Sequence, residues 1–193
     1  MPLIFTQVAP YAYSDNNSTG YLAENMKKAW ELSRDKKTAM LTIYDLPLDH
    51  MKMVQTYKGA LECTYDSIHP RSKTMVAERF YQSAVNMLYG GTEAYTAPVY
   101  KSMTVRDGAI YLTFDCIGNH LTSTDGSTEL HGFSIAGEDG VYVNASAKIV
   151  DKDMVMVWND RIKDPQNVIY AFANYNQGAN LCNSAKIPAS PFR

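Results

Sequence analysis

The feature that most constrains this chain is a change of hydrophobic period partway along it. Up to about Ala97, short apolar runs alternate with stretches in which apolar residues recur every three or four positions. From about Pro98 onward the period is two. Alternating strand and helix signals imply parallel strands joined by right-handed crossovers. Short alternating strands at regular spacing imply an antiparallel sandwich or jelly-roll-like module instead. The chain therefore reads as α/β plus β, with residues 1–97 as one unit and 98–193 as the other.

Within the first unit, "LIFTQV" (Leu3 to Val8) has the apolar continuity of a strand buried on both faces. The loop "SDNNSTG" follows, and then "YLAENMKKAWELSRDKK", where Leu22, Met26, Ala29 and Leu32 recur at helical spacing and basic residues close the helix. "TAMLTIYDLP" gives a second strand that leaves its sheet at Asp45 and Pro47. A second helix is expected after Pro70, with Ser72 as N-cap, Val76, Phe80, Met87 and Leu88 turned inward, and a stop at Gly90-Gly91. Two strands and two helices do not close a doubly wound sheet, so this unit reads as a fold begun in its middle. In the second unit, Asp107-Gly108 between alternating segments is a strong hairpin signal, and further turns are expected at Glu138-Asp139-Gly140 and Asp151-Lys152-Asp153.

The bulk properties narrow the function classes. At 46% hydrophobic residues and a formal charge of −2, nothing invites nucleic acid or a charge-driven partner. No apolar run approaches the ~18 residues that span a bilayer, and "MPLIFTQVAPYAYSD" lacks the basic and apolar regions of a secretory signal. Cys63, Cys116 and Cys182 are far apart, and His50, His69, His120 and His131 show no ligand spacing, so no metal or other cofactor is expected. The 14 tyrosines suit either β-sheet cores or sugar-stacking surfaces. Tyr100, Tyr111, Trp158 and Tyr170 are the candidate aromatic platforms, with buried core the expected role for most. Asn16, Asn17 and Asn144 begin N-x-S/T sequons, which matter only in a glycosylating secretory pathway.

One stretch carries chemistry. "DSIHPRSK" places Asp66 three residues before His69, with Pro70 fixing the turn. In a turn that feeds a helix, such a carboxylate can accept the imidazole Nδ1 proton. That leaves Nε2 free to take a proton from a nucleophile. The D-x-x-H spacing is common by itself; its surroundings make it specific.

"DSIHPRSKTMVAERF" resembles the last catalytic block of the SGNH hydrolases, and more narrowly the sialate O-acetylesterase family of carbohydrate esterases. The family shows Asp-x-Ile-His-Pro followed by a helix with Gly-Glu-Arg or a near variant, here Ala77-Glu78-Arg79. The resemblance continues in order through "FTQVAPYAY", "APVYKSM", "GNHL", "GFSIAGEDGVYVNASAKI" and "NLCNSAKIPASPFR", and so covers nearly the whole chain. It implies a partial SGNH or flavodoxin-like parallel sheet followed by the β-sandwich-like module. It also implies a serine esterase acting on O-acetylated carbohydrate, with His69 as general base and Asp66 as its orienting partner.

The family's nucleophile lies in a Gly-Gln-Ser-Asn-like block, and neither that block nor the oxyanion strands occur in this sequence. Neither Ser67 nor the serines of "YSDNNS" sit in a strand-to-helix elbow. The expectation is therefore the C-terminal part of an esterase, inactive alone, whose sheet edge near Leu3–Val8 is covered by a missing N-terminal half or by self-association. Between Asp45 and Asp66 the chain carries about twenty residues where the family usually has only a few, including His50, as a lid or a surface elaboration. The competing expectations are a non-catalytic carbohydrate-binding or scaffolding module, and another SGNH acyl hydrolase such as an acetylxylan esterase. By resemblance the location is extracellular, periplasmic or lysosomal.

Overall fold

The computed structural model describes residues 2–11, 15, 17–33, 37–46, 52–55, 61–64, 73–116, 120–174 and 178–193. Near the N-terminus, β1 (Leu3–Thr6) and β2 (Thr38–Leu41) pair in parallel, with Leu3 opposite Thr38 and Thr6 opposite Leu41. The crossover between them is α1 (Ser18–Glu31). Asp15 holds its start: one carboxylate oxygen accepts the backbone N–H groups of Asn17 and Ser18 at 2.8 and 2.7 Å, and the other accepts the Ser18 hydroxyl at 2.6 Å.

Two apolar readings change here. β1 is not buried on both faces: Leu3 is 52% exposed and the rest of the strand half-buried. Its sheet has two strands, and no further strand pairs with either edge among the described residues. On α1, Leu22 and Leu32 are exposed and the buried face is Thr19, Gly20, Ala23 and Trp30. The cause is a close approach, because a Cβ on Gly20 would meet the Phe172 ring at 3.1 Å. α1 therefore seats through its smallest residues. Trp30 anchors the far end, its Nε1 donating to the Thr38 carbonyl at 3.1 Å and its ring packing with Met40 and Val99.

The 46–65 insertion contains β3 (Lys52–Gln55) and β4 (Leu61–Thr64), paired antiparallel. α2 (Thr74–Tyr89) ends at Gly90 in the left-handed conformation (φ 74°), as the Gly-Gly pair requires. Ser72 lies outside the described residues. Leu88 is exposed, Val76, Phe80 and Met87 are half-buried, and the buried side chains of α2 are polar: Arg79 and Ser83.

The rest is antiparallel. β5 (Val99–Arg106) and β6 (Ala109–Asp115) turn through Asp107 (φ 52°) and Gly108 (φ 72°), the tight hairpin that dipeptide specifies. β10 (Ser146–Asp151) and β11 (Met154–Trp158) turn through Lys152-Asp153 and complete a sheet ordered β10-β11-β6-β5. A second sheet is ordered β12-β8-β9, from β12 (Asn167–Tyr170), β8 (Phe133–Ala136) and β9 (Val143–Asn144), with the Glu138-Asp139-Gly140 turn between the last two. β7 (Leu121–Ser123) pairs with β13 (Leu181–Asn183).

The alternating inward residues of both larger sheets share one core: Ile110, Leu112 and Phe114 on β6, Val155 and Val157 on β11, Phe133 and Ile135 on β8, Val168 and Tyr170 on β12. The whole is a mixed α/β fold in which most strand pairs are antiparallel. The last ten residues return across it. Phe192 enters the β core, and Ser190 and Pro188 bond to Gln7 and Thr42 beside the parallel pair.

Candidate active site

Asp66 and His69 lie outside the described residues, as do His50, Ser67 and the rest of 65–72. What the structure describes is the frame on either side: β4 closing at Thr64 and α2 opening at Thr74. In open α/β sheets, function gathers just past the C-terminal ends of the parallel strands. Those ends are conspicuously polar here.

Gln7, one residue past β1, is fully buried. Its Nε2 donates to the Ala23 carbonyl and to the Ser190 hydroxyl, both at 2.8 Å, while its Oε1 accepts nothing among the described residues. Past β2, the Thr42 hydroxyl donates to the Pro188 carbonyl at 2.6 Å. The Tyr44 hydroxyl is buried without a partner among the described residues, and burial pushes its pKa above that of an ordinary phenol. An unpaired buried polar group costs about 1–3 kcal/mol, and each such group calls for an explanation.

Arg79 locks α2 onto this region. Its Nη1 donates to Asp45 Oδ1 and to the Thr42 carbonyl, both at 2.8 Å. Its Nη2 donates to Asp45 Oδ2 at 2.5 Å and to the Lys186 carbonyl at 3.3 Å. The side chains of Arg79 and Asp45 are 9% and 13% exposed. A guanidinium can serve four oxygens in this way because its donors are fixed in a plane. One residue thereby ties α2 to the end of β2 and to the C-terminal segment. Val76, one turn earlier, packs on Ala9, Ile43 and Leu46. The start of α2, into which the Asp66–His69 segment feeds, is therefore held against the strand ends.

Beside this clamp lies a cavity of 440 Å³, lined by Met75, Glu78 and Gln82 of α2 together with Glu93 and Lys186. Other candidate groups are spoken for. The Ser18 hydroxyl donates to Asp15 at 2.6 Å, and the Ser83 hydroxyl donates to the Tyr95 carbonyl at 3.3 Å. Burial first, then nearby carboxylates, pushes the Cys116 thiol up to about 11; burial does the same for Cys182, so neither is a thiolate at neutral pH. Among the described residues no group of three His, Cys, Asp or Glu side chains could hold a metal ion. No described helix is long and apolar enough to cross a membrane.

The aromatic candidates divide. Tyr170 is core, its hydroxyl accepting the Leu181 N–H at 3.0 Å. Tyr100 stacks on Phe192 at 4.5 Å, and Tyr111 lies under the Arg106 guanidinium at 3.8 Å. Trp158 is half-buried, with the Lys148 ammonium over its ring at 5.6 Å. The Arg79–Asp45 pair was not found from the sequence, where Arg79 appears only within Ala77-Glu78-Arg79. Its one local signal is a charged residue interrupting the Val76–Phe80–Ser83 stripe of α2.

No family model matches this chain, and no curated protein matches it. Among solved structures it is similar to the crystal structure of a novel carbohydrate acetylesterase from Xanthomonas citri. The two are 30% identical with a TM-score of 0.81, over 99% of this chain and 40% of that one. The chain thus spans about two fifths of the length of that enzyme.

Proposed function

We propose that this chain is the proton-transfer part of a carbohydrate O-acetylesterase of SGNH type, in which Asp66 and His69 serve a serine carried by another stretch of polypeptide. The observation that carries this reading is the likeness to the Xanthomonas acetylesterase along 99% of the chain at 30% identity. Three further features support it. The Asp66-Ser67-Ile68-His69-Pro70 motif falls between a strand and a helix. That helix is clamped to the strand ends by Arg79. Leu3 on β1 is exposed, and no further strand pairs with either edge of the parallel pair among the described residues, an edge that a further segment would cover.

In this reading Asp66 accepts the His69 Nδ1 proton and fixes the tautomer. Nε2 removes the proton from the serine hydroxyl as Oγ attacks the acetyl carbonyl. The tetrahedral intermediate collapses as His69 returns that proton to the departing sugar oxygen, leaving an acetyl-serine and a free sugar hydroxyl. Water then gives a proton to His69 and attacks the acetyl carbon, and the serine leaves with that proton as acetate departs. The substrate we favour is a 9-O-acetylated sialic acid, on the strength of the sequence resemblance. An acetylated plant glycan is the alternative.

The test is complementation. The region of the Xanthomonas enzyme outside the matched 40% is assembled with this chain, and acetate release is followed from acetylated sialic acid and acetylated xylan. Release is expected only from the complex. His69→Ala should lower kcat about a thousandfold or more, because a base–nucleophile pair works only as a unit. A verified complex that releases no acetate from either substrate counts against the reading.

A further inference from the structure

A second concave site lies on the β module and belongs to none of the machinery above. It is a cavity of 560 Å³ across the outer face of β10. Ser146 of β10 pairs directly with Trp158 of β11, so the two side chains share one sheet face, a hydroxymethyl beside an indole. On the other edge of β10, Leu130 is bridged to Ala147, its N–H donating to the Ala147 carbonyl at 3.0 Å. That bridge brings Glu129 and His131 to the opposite wall. The small Ser146 leaves a trough between an aromatic wall and a polar one. Its backing is rigid, since Leu130 and Ala147 are both buried members of the β core.

The chemistry of the walls is specific in kind. The Lys148 ammonium lies over the Trp158 ring, 5.6 Å from its centroid, so that a sugar stacking on that face displaces an exposed, flexible side chain; Asn144 also lines the trough. No hydrogen bond among the described residues occupies the Trp158 indole N–H, the Ser146 hydroxyl, the His131 ring or the Glu129 carboxylate. The backbone is meanwhile well fastened: the His131 N–H donates to Asn180 Oδ1 at 2.8 Å, and Asn159 Nδ2 to the Asn144 carbonyl at 2.7 Å. Glu129 and Lys148 cancel in formal charge, so the trough selects neither anions nor cations. An indole beside exposed donors and acceptors of both kinds, carried on a fastened backbone, complements a pyranose ring, which has an apolar C–H face and an equatorial belt of hydroxyls.

We infer that this trough is a binding site for a neutral oligosaccharide, with Trp158 stacking on one sugar ring and Ser146, Glu129, His131, Asn144 and Lys148 placed to bond its hydroxyls. It goes beyond the esterase reading and does not depend on it, because none of its residues belongs to the Asp66–His69 frame.

The chain carries its own reporter. It has two tryptophans, and Trp30 is 3% exposed, so a change in emission on adding sugar reports on Trp158. The intact chain is titrated with xylohexaose, cellohexaose and mannohexaose, with isothermal calorimetry in parallel. At least one should give a saturable change. Trp158→Ala should weaken calorimetric binding about tenfold or more, as truncation of an aromatic anchor does, whereas Trp158→Tyr keeps it within about threefold. Ser146→Arg, which fills the trough from an exposed position, should abolish it with an unchanged melting temperature. Absence of saturable binding to all three glycans overturns the inference. So does binding that survives both Trp158→Ala and Ser146→Arg.

Discussion

Arg79 concentrates more of the architecture in one side chain than any other described residue. Its fork joins α2 to the Thr42–Asp45 stretch and to the Lys186 carbonyl, segments far apart in sequence. Desolvating two charges is costly, and the pair is sustained because every donor direction used meets an oxygen. Removing one partner leaves the other charge stranded. Arg79→Ala is therefore expected to cost about 3–5 kcal/mol in chemical denaturation. Arg79→Met combined with Asp45→Leu should recover much of that loss. If the single and double variants were equally destabilised, the stranded charge would not be the cause. The sequence could not reveal this pair, because 34 residues separate its members and a charged residue in a helix ordinarily signals a solvated face. The Asp66–His69 reading is of the opposite kind, resting on local spacing alone, and it falls outside the described residues.

Among the elements, the strands and turns of the β module and the presence of both helices follow from the sequence, whereas the face that α1 buries does not. Asp107-Gly108 and Gly90 are read correctly because only certain residues tolerate their backbone angles. The inner face of α1 is misread because its leucines point outward and it docks through Gly20 and Ala23, where closeness of approach decides the contact. The cap of α1 gives a pH-dependent prediction. The Ser18 hydroxyl first, then the Asn17 and Ser18 N–H groups, hold the Asp15 carboxyl down at about 2. A folded-state pKa below the ordinary value of 3.8 contributes stability that is present above about pH 4 and lost as pH falls towards 2. Protection of the Asn17 and Ser18 amides from hydrogen exchange should therefore decline over that interval. In Asp15→Ala the same amides should be poorly protected at every pH, with no such decline.

Across the whole molecule, the β module has a continuous core, whereas the parallel pair and its helices are joined to it by polar bonds from the C-terminal segment and by smaller apolar contacts, Gly20 on Phe172 and Trp30 on Val99. Phe192 stacks on Tyr100 at 4.5 Å and meets Phe114 and Tyr170 at 5.8 and 5.6 Å, two residues beyond the Ser190 hydroxyl that binds Gln7. Phe192→Ala should cost about 3–5 kcal/mol, and it should loosen the β1–β2 region together with the β core when both are followed by hydrogen exchange. Loss confined to the β core would show that the C-terminal segment does not couple the two. That segment's return was not legible, because a closing strand of three residues, Leu181–Asn183, carries no periodicity to read.

In the proposed function His69 handles the proton for a serine on another stretch of polypeptide. Chemical rescue of acetate release in the complemented enzyme bearing His69→Ala probes that role. Near-complete loss of activity is expected, with partial recovery on adding free imidazole and no recovery when the partner's serine is also removed. Acetate release that still requires that serine but proceeds undiminished in His69→Ala would contradict that role.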